Sequence, residues 1–258
     1  MFEWFKKTQM PQHTLNEAIV EDFSNPDALV AFFKQETGVT FERQYSIVVR
    51  KLQNFCRQRA IYSFEACYDQ VQNDPTLKQE LINYLTTNES FFFREYAQIE
   101  ALADLISRRS DQVSILCAPC ATGEEPYSIA IALIESGIHA SRFHITGIDI
   151  NTDALKHAKK ACYNERSVRN LSEIQKERYF VKDAEHYCLV QEITSCVTLH
   201  QMNIFDPVFQ RMEKFDYVFS RNMLIYFDKE TKARAQAILE SMRRHADIPV
   251  FFGHADLF

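Results

Sequence analysis

Residues 113–127 read VSILCAPCATGEEPY, a short apolar run that passes directly into a polar turn and then into a helix-forming segment. The apolar run is typical of a buried β-strand, and the stretch 124–136 repeats apolar side chains at the spacing of an amphipathic helix. Pro126 falls in the first turn of that helix, where a proline is well tolerated. A strand, a tight turn and a helix in this order predict one βα unit of an α/β domain.

The same alternation continues toward the C-terminus. Further strands are predicted at 143–149, 197–200, 215–220 and 249–252, and further helices at 152–161 and 229–244. Strands that alternate with helices favour a parallel, doubly wound, Rossmann-like sheet. Residues 163–196 interrupt this alternation of strands and helices. Within them the stretch 187–194 predicts a strand, so we expect a small β insertion there.

Upstream of residue 85 the pattern is different. Apolar residues recur at helical spacing from Asp27 to Gly38, again over 41–58 and again over 63–73, with no strand-like alternation. The chain is therefore predicted to divide into an N-terminal arm at 1–26, a small all-helical domain at 27–85 and an α/β domain at 86–258.

Composition narrows the class of protein. The 258 residues are 46% hydrophobic, enough for a packed core, and the formal net charge of −6 disfavours binding to nucleic acid. No apolar run approaches the roughly 20 residues of a membrane span, and no secretion signal is evident, so we expect a cytoplasmic protein without membrane insertion. The seven cysteines are odd in number and irregular in spacing, which does not suggest a disulfide framework.

Polar residues follow several predicted strands at their carboxyl ends, where doubly wound sheets bind ligands. Glu124 could pair with an ammonium group, or it could merely complement the helix dipole. Asp149 could accept hydrogen bonds from ribose hydroxyls, or it could cap the next helix, a role open equally to Asn151 or Thr152. Asn203 could reach an adenine edge or could simply stabilise a turn.

The first loop also limits the choice of cofactor. The chain has only five glycines, and Gly123 is the single glycine of this loop, so the three-glycine dinucleotide fingerprint is absent. A cofactor without pyrophosphate fits better, and a nicotinamide oxidoreductase is the weaker alternative. Cys117 and Cys120 form one C-x-x-C pair, which suggests core packing more than a metal or redox site, and we expect no metal.

Five stretches carry a resemblance to a known family. They are LTTNESFFFRE at 85–95, ATGEEPYS at 121–128, SRNMLIYFD at 220–228 and, more loosely, DINTDAL at 149–155 and FGHAD at 252–256. In this combination the chain resembles the CheR-type chemoreceptor glutamate O-methyltransferases over roughly residues 28–256. Family members usually continue into an antiparallel hairpin beyond the last strand, so we expect an open sheet edge beside 249–252.

The resemblance implies a class I methyltransferase domain that uses S-adenosylmethionine and releases S-adenosylhomocysteine. It implies cofactor contacts from Asn88, Ser90, Arg94, Glu124, Asp149, Asn203, Ile204, Arg221 and Asn222. In this assignment Asn88, Ser90 and Arg94 lie near the methionine and sulfonium end. Glu124 holds the amino group and Asp149 the ribose. Arg94 and Tyr226 lie closest to the transferred methyl group and are the predicted catalytic residues.

The implied reaction forms methyl esters on glutamate side chains of a chemoreceptor. A glutamate carboxylate is already ionised at neutral pH, so the absence of an evident general base is expected. Thr86 and Glu89 have the spacing of a helix capping box, so part of the 85–95 stretch could be structural. The alternative function is a catalytically silent cofactor-sensing or receptor-binding module of the same fold.

A basic helix face suggests where a partner would dock. Arg43, Arg50 and Arg57 recur every seven residues, Lys51 lies beside them, and Glu42 is the only acid within 41–60. These cations are predicted to bind the acidic helical bundle of a chemoreceptor, and the alternative is a solvated helix face. We expect a monomer.

Overall fold

The computed structural model describes residues 21–41 and 44–257. Most of the predicted N-terminal arm, residues 1–20, lies outside the described residues, as does Arg43 of the predicted basic face. The described chain forms a helical part followed by an α/β part, which is the predicted fold class.

Four helices of the first part pack around a common apolar core. They are α1 (Asp27–Thr37), α2 (Tyr45–Arg57), α3 (Phe64–Asn73) and α4 (Pro75–Leu85). Gly38 ends α1 with φ 78° and donates its N–H to the carbonyl of Lys34. The Asp74 side chain caps α4 by accepting hydrogen bonds from the first N–H groups, and Pro75 takes the first helical position. The sequence pattern had not resolved α4 as a separate helix.

A parallel sheet forms the second part. Its strands are β1 (Val113–Cys117), β2 (Phe143–Asp149), β6 (Val197–Gln201), β7 (Tyr217–Ser220) and β8 (Phe251–Phe252), in the order β6-β2-β1-β7-β8. The accompanying helices are α5 (Tyr96–Ser107), α6 (Glu124–Glu135), α7 (Thr152–Lys160), α10 (Pro207–Gln210) and α11 (Lys229–Ser241). The chain leaves β1 toward β2 and β6, then returns to the other side of β1 as β7, so the strand order reverses beside β1. Ligands of such sheets bind at this reversal.

The predicted β insertion is present as a small antiparallel sheet. It contains β3 (Cys162–Tyr163), β4 (Phe180–Asp183) and β5 (His186–Leu189), with α8 (Glu173–Tyr179) before β4 and α9 (Gln191–Thr194) after β5. The predicted strand at 187–194 is therefore wrong in its second half. Residues 191–194 form one helical turn, which buries Ile193 and directs its N–H to the carbonyl of Val190.

A disulfide joins two strands of this insertion. Cys162 of β3 and Cys188 of β5 are direct neighbours in the antiparallel register and are bonded to each other. The odd number of cysteines had not suggested this pair, because the two residues are 26 positions apart and meet only through strand pairing. The remaining cysteines are free and buried.

Uncharged side chains hold the helical part against the rim of the sheet. Asn83 of α4 and Thr152 of α7 exchange two hydrogen bonds of 2.7 and 2.9 Å. Asn151 donates to the Thr86 hydroxyl at 2.8 Å, and Gln79 donates to the carbonyl of Ile150 at 2.9 Å. These contacts fix a space between the two parts.

Reduction of the Cys162–Cys188 bond should lower the free energy of unfolding by about 3 kcal/mol, because the bond restricts a loop of this length in the unfolded chain. Urea denaturation with and without reductant measures the change. The Cys162→Ser variant should match the reduced protein and should not respond to reductant. Equal midpoints for the oxidised and reduced wild-type protein would contradict the prediction.

Candidate functional site

A cavity of about 870 Å³ lies between the helical part and the carboxyl ends of the parallel strands. The loops after β1, β2, β6 and β7 form one side of it, and the end of α1 with the start of α2 forms the other. Its lining includes the predicted site residues Asn88, Asp149, Asn203, Ile204, Asn222 and Tyr226. Four other predicted residues, Ser90, Arg94, Glu124 and Arg221, do not line it.

Asp149 is the last residue of β2, and its carboxylate accepts hydrogen bonds from the backbone. One oxygen accepts from the N–H of Ala121 at 2.8 Å and the other from the N–H of Asn151 at 2.8 Å. Burial raises the pKa of Asp149, although these backbone donors act in the opposite direction. Asn151 caps α7, so helix capping does not occupy Asp149. Each carboxylate oxygen retains capacity to accept a hydroxyl from a ligand.

Glu124 is the first residue of α6, and its side chain is almost completely buried. The Thr122 hydroxyl donates to one carboxylate oxygen at 2.6 Å, and the Ser167 hydroxyl donates to the other at 3.2 Å. Within 21–41 and 44–257, no cationic side chain forms an ion pair with Glu124. A buried carboxylate without a cation is costly, so this position suits a ligand that brings a positive charge.

Asn203 already uses both ends of its side-chain amide. The amide oxygen accepts from the N–H of Phe205 at 3.0 Å, and the amide nitrogen donates to the carbonyl of Glu36 at 2.9 Å. One further N–H and one lone pair remain for a ligand. Asn203 thus stabilises a turn and also joins the turn after β6 to the end of α1, while Ile204 beside it lines the cavity.

Arg221 forms a buried ion pair with Glu125 of α6. Its guanidinium also donates to the backbone carbonyl of Arg94 at 2.7 Å, so it links the end of β7, the start of α6 and the turn before α5. Its side chain is turned to these partners rather than to the cavity lining. Sequence reasoning had not singled out Glu125, although it belongs to the same Gly-Glu-Glu-Pro motif as Glu124.

Asp256 is a second supporting residue that sequence reasoning had not assigned to the site. It is fully buried, and its carboxylate accepts from the N–H groups of Asn222, Leu224 and Gly253. Burial raises the pKa of Asp256, and the backbone donors oppose that shift. Asn222 takes φ 60°, a conformation that this anchoring maintains. The loose FGHAD match at 252–256 was the available signal.

The segment from Asn88 to Glu95 connects the two parts. Asn88 lines the cavity, whereas Arg94 does not and donates to the carbonyl of Glu89 at 3.3 Å. The proposed capping box is wrong: Thr86 closes the C-terminal end of α4, and Glu89 pairs with Arg166 at 2.6 Å. No carboxylate in the described parts of the chain forms an ion pair with Arg94.

Tyr226 ends a short 3-10 turn that begins at Leu224. Its backbone carbonyl accepts hydrogen bonds from the N–H and the hydroxyl of Thr40 at 2.8 and 3.2 Å. The helical part therefore holds this turn in place at the edge of the cavity.

Two comparisons with known proteins bear on this site. Residues 88–258 match the family model described as "CheR methyltransferase, SAM binding domain", and residues 26–86 match "CheR methyltransferase, all-alpha domain". The chain belongs to the CheR methyltransferase family. It is an S-adenosylmethionine-dependent methyltransferase, which excludes the nicotinamide oxidoreductase alternative.

Curated relatives support the same assignment. A chemotaxis protein methyltransferase of Campylobacter jejuni is 31% identical over 88% of this chain and 86% of its own length. The Escherichia coli chemotaxis protein methyltransferase is 35% identical over 70% of this chain and 64% of its length. A probable biofilm formation methyltransferase of Pseudomonas putida is 30% identical over 90% of this chain, but over only 56% of its own length. None of these names favours a catalytically silent module.

The family cofactor fits the residues of the site. The Asp149 carboxylate lines the cavity and suits its ribose hydroxyls. The Glu124 carboxylate, which is buried outside the cavity lining and has no cationic partner among the described residues, suits its ammonium group. The cavity volume lies within the range of ordinary small-molecule sites. Cys117 at the end of β1 and Cys120 of the loop that follows are both buried in the core, and burial raises the pKa of both thiols.

The predicted basic face of α2 is only partly available. Arg50 is exposed, and Lys51 is half-buried and lines the cavity. Arg57 already pairs with Glu21 at 2.6 Å. No helix of the described chain is long and apolar enough to cross a bilayer.

Binding of S-adenosylhomocysteine to the enzyme should weaken as the pH falls through the acid range. Because burial raises the pKa of Asp149, its carboxylate takes up a proton at a higher pH than an exposed aspartate, whose pKa is about 3.9. The protonated acid offers fewer acceptor sites to ribose hydroxyls. Calorimetric titrations at a series of pH values, with circular dichroism to verify folding at each, measure the effect.

The matched control is Asp149→Asn, which cannot titrate at this position. Its affinity for S-adenosylhomocysteine should be lower than that of the wild type at neutral pH and should change less with pH. Parallel pH profiles for the two proteins would show that another group controls binding.

Proposed function

We propose that this enzyme transfers a methyl group to glutamate side-chain carboxylates of a chemoreceptor and forms glutamyl methyl esters. The observation that carries the proposal is the Arg94 guanidinium, which lacks an ion-pair partner among the described residues. Arg94 itself is outside the cavity lining but lies on the segment that reaches the cavity at Asn88, and we infer that a carboxylate from outside the chain pairs with it beside the cofactor. The names of the relatives support a receptor as the source of that carboxylate.

The chemistry requires little from acid or base groups. S-adenosylmethionine, when bound, supplies a methyl group on a positively charged sulfur, which is a good electrophile. A glutamate carboxylate, with an ordinary pKa of about 4.3, is an ionised nucleophile at neutral pH. The chain therefore has to bind, orient and exclude water, and orientation alone can contribute about 7–11 kcal/mol to such a step.

Each predicted residue has a role in this scheme. Arg94 holds the acceptor carboxylate by paired hydrogen bonds, and Tyr226 at the cavity wall limits its approach and excludes water. Glu124 holds the cofactor amino group and Asp149 its ribose. Asn88, Asn203, Ile204 and Asn222 complete the cofactor pocket from the cavity lining, and Ser90 acts from the same segment as Asn88. Arg221 supports this arrangement through its contacts with Glu125 and the backbone of Arg94.

The partner surface is the exposed side of α2 beside the cavity mouth. Tyr45 and Ile47 are large apolar side chains that are 41% and 44% exposed, and Arg50 and Lys51 add positive charge. A bundle of receptor helices with acidic residues near the methylated glutamates matches this surface. Such bundles lie in the cytoplasm, which is where we place the enzyme, as a monomer.

Methylation of a receptor signalling fragment should yield base-labile label. The purified enzyme, S-adenosylmethionine labelled in its methyl group and a chemoreceptor cytoplasmic fragment should give label that alkali releases as methanol. Alkali-stable label, or none, would overturn the proposal. Arg94→Gln should lower kcat/KM for the receptor about 10- to 100-fold, because hydrogen bonds to a charged group contribute about 1.5–3 kcal/mol.

The control for this variant is Arg108→Gln. Arg108 is exposed after α5 and away from the cavity lining, so its kcat/KM should equal that of the wild type. A similar loss in both variants would indicate a general effect of removing positive charge.

Reversal of charge at Arg50 tests the docking surface. Arg50→Glu should raise KM for the receptor fragment, most strongly at low ionic strength, and should leave the affinity for S-adenosylhomocysteine unchanged. Lys159→Glu reverses an exposed charge on α7 and should do neither. An unchanged KM for Arg50→Glu at low salt would rule out α2 as the docking surface.

A further inference from the structure

We propose that Ser167 of the β insertion is a positioning residue: it fixes the Glu124 carboxylate and the 88–94 segment in one arrangement, and so sets the affinity for the amino-acid end of the cofactor. This inference rests on the role of Glu124 in the proposed function. It gives the insertion a part in the site, whereas the sequence pattern marked it only as an interruption of the α/β repeat.

Ser167 makes contacts in two directions. Its hydroxyl donates to one oxygen of Glu124 at 3.2 Å, and its backbone carbonyl accepts from the N–H of Phe92 at 2.9 Å. One residue thus joins the start of α6 to the segment that carries Asn88 and Arg94. Both contacts join residues that are far apart in the sequence.

Other residues of the insertion hold the same segment. Arg166 pairs with Glu89 at 2.6 Å, and the Arg169 guanidinium lies 3.6 Å from the centre of the Phe91 ring. The fully buried Phe92 packs edge-on against Tyr163 and Phe180, with ring centres 4.9 and 5.3 Å away. The segment therefore rests on the insertion along several successive residues.

The turn that carries Ser167 is itself well fixed. The N–H of Ser167 donates to the side chain of Asn164 at 3.0 Å, and the Tyr163 hydroxyl donates to the carbonyl of Thr122 at 2.8 Å. Tyr163 belongs to β3, which the Cys162–Cys188 bond joins to β5. Because its support is rigid, the Ser167 hydroxyl can hold a preferred position of the carboxylate.

The chemical character of the two hydroxyls matters. Thr122 holds one oxygen of Glu124 and Ser167 the other, so the carboxylate is oriented from both sides without being neutralised. Its negative charge remains available to an ammonium group, whereas an arginine or lysine at either place would compete with the ligand. Loss of the Ser167 hydroxyl leaves the carboxylate held on one side only, and its orientation toward the ligand becomes less defined.

Calorimetry with two ligands tests this role. S-adenosylhomocysteine carries the amino-acid group, and 5′-methylthioadenosine has the same nucleoside without it. Ser167→Ala should raise the Kd for S-adenosylhomocysteine about 10-fold, the effect of one weak charge-assisted hydrogen bond, and should leave the Kd for 5′-methylthioadenosine within about 2-fold. Ser167→Thr keeps a hydroxyl and should recover most of the affinity.

Two further variants separate positioning from general damage. Ser172→Ala removes the cap of α8 in the same insertion and should change neither Kd, which controls for loosening of the insertion. In the Glu124→Gln background, Ser167→Ala should have less than about 2-fold effect on S-adenosylhomocysteine, because residues that act through one another are not additive.

The outcomes separate the positioning role of Ser167 from the role of Glu124 in binding the cofactor. Equal loss of affinity for both ligands in Ser167→Ala, or no loss for either, overturns the positioning role while the cofactor site stands. A wild-type enzyme that binds both ligands equally well contradicts the assignment of Glu124 and overturns both. A loss confined to S-adenosylhomocysteine and recovered in Ser167→Thr supports both.

Discussion

The buried ion pair between Arg221 and Glu125 is the contact on which the rest of the site depends. It joins the carboxyl end of β7 to the first turn of α6, and the same guanidinium holds the backbone at Arg94. Removing a charge from water is costly, so the loss of either partner would leave the other charge buried and unpaired. The arrangement of β7, α6 and the turn before α5 beside the cavity is therefore tied to this pair, and neither residue is free to change alone.

A second group of contacts acts between the two parts of the molecule and is largely uncharged. Asn83, Thr152, Asn151 and Gln79 place the helical part on the sheet through hydrogen bonds that each require a defined distance and direction. Asn203 adds a further hydrogen bond between the two parts, because its amide nitrogen donates to the carbonyl of Glu36 at the end of α1. The position of the helical part relative to the cofactor pocket thus depends on these directional contacts.

The sequence predicted features that depend on neighbouring residues. The bounds of β2, the end of α1 at Gly38 and the placing of Asp149 at a strand end all follow from local patterns. It did not predict the disulfide, the Glu21–Arg57 pair, the Ser167 contacts or the role of Asp256, because each of these joins residues far apart in the chain. The false capping box at Thr86 has the same origin: its spacing is local, whereas contacts with Asn151 and Arg166 determine the conformation.

The segment from Thr86 to Asn88 lines the cavity and is also the covalent connection between the two parts of the enzyme. A ligand that contacts this connection stabilises the arrangement in which both parts face it, and at a concentration 100 times its Kd it adds about 2.7 kcal/mol to that arrangement. Cleavage by a protease requires a connection to open locally before it can enter an active site. Binding of the methyl donor is therefore expected to protect this connection from proteolysis.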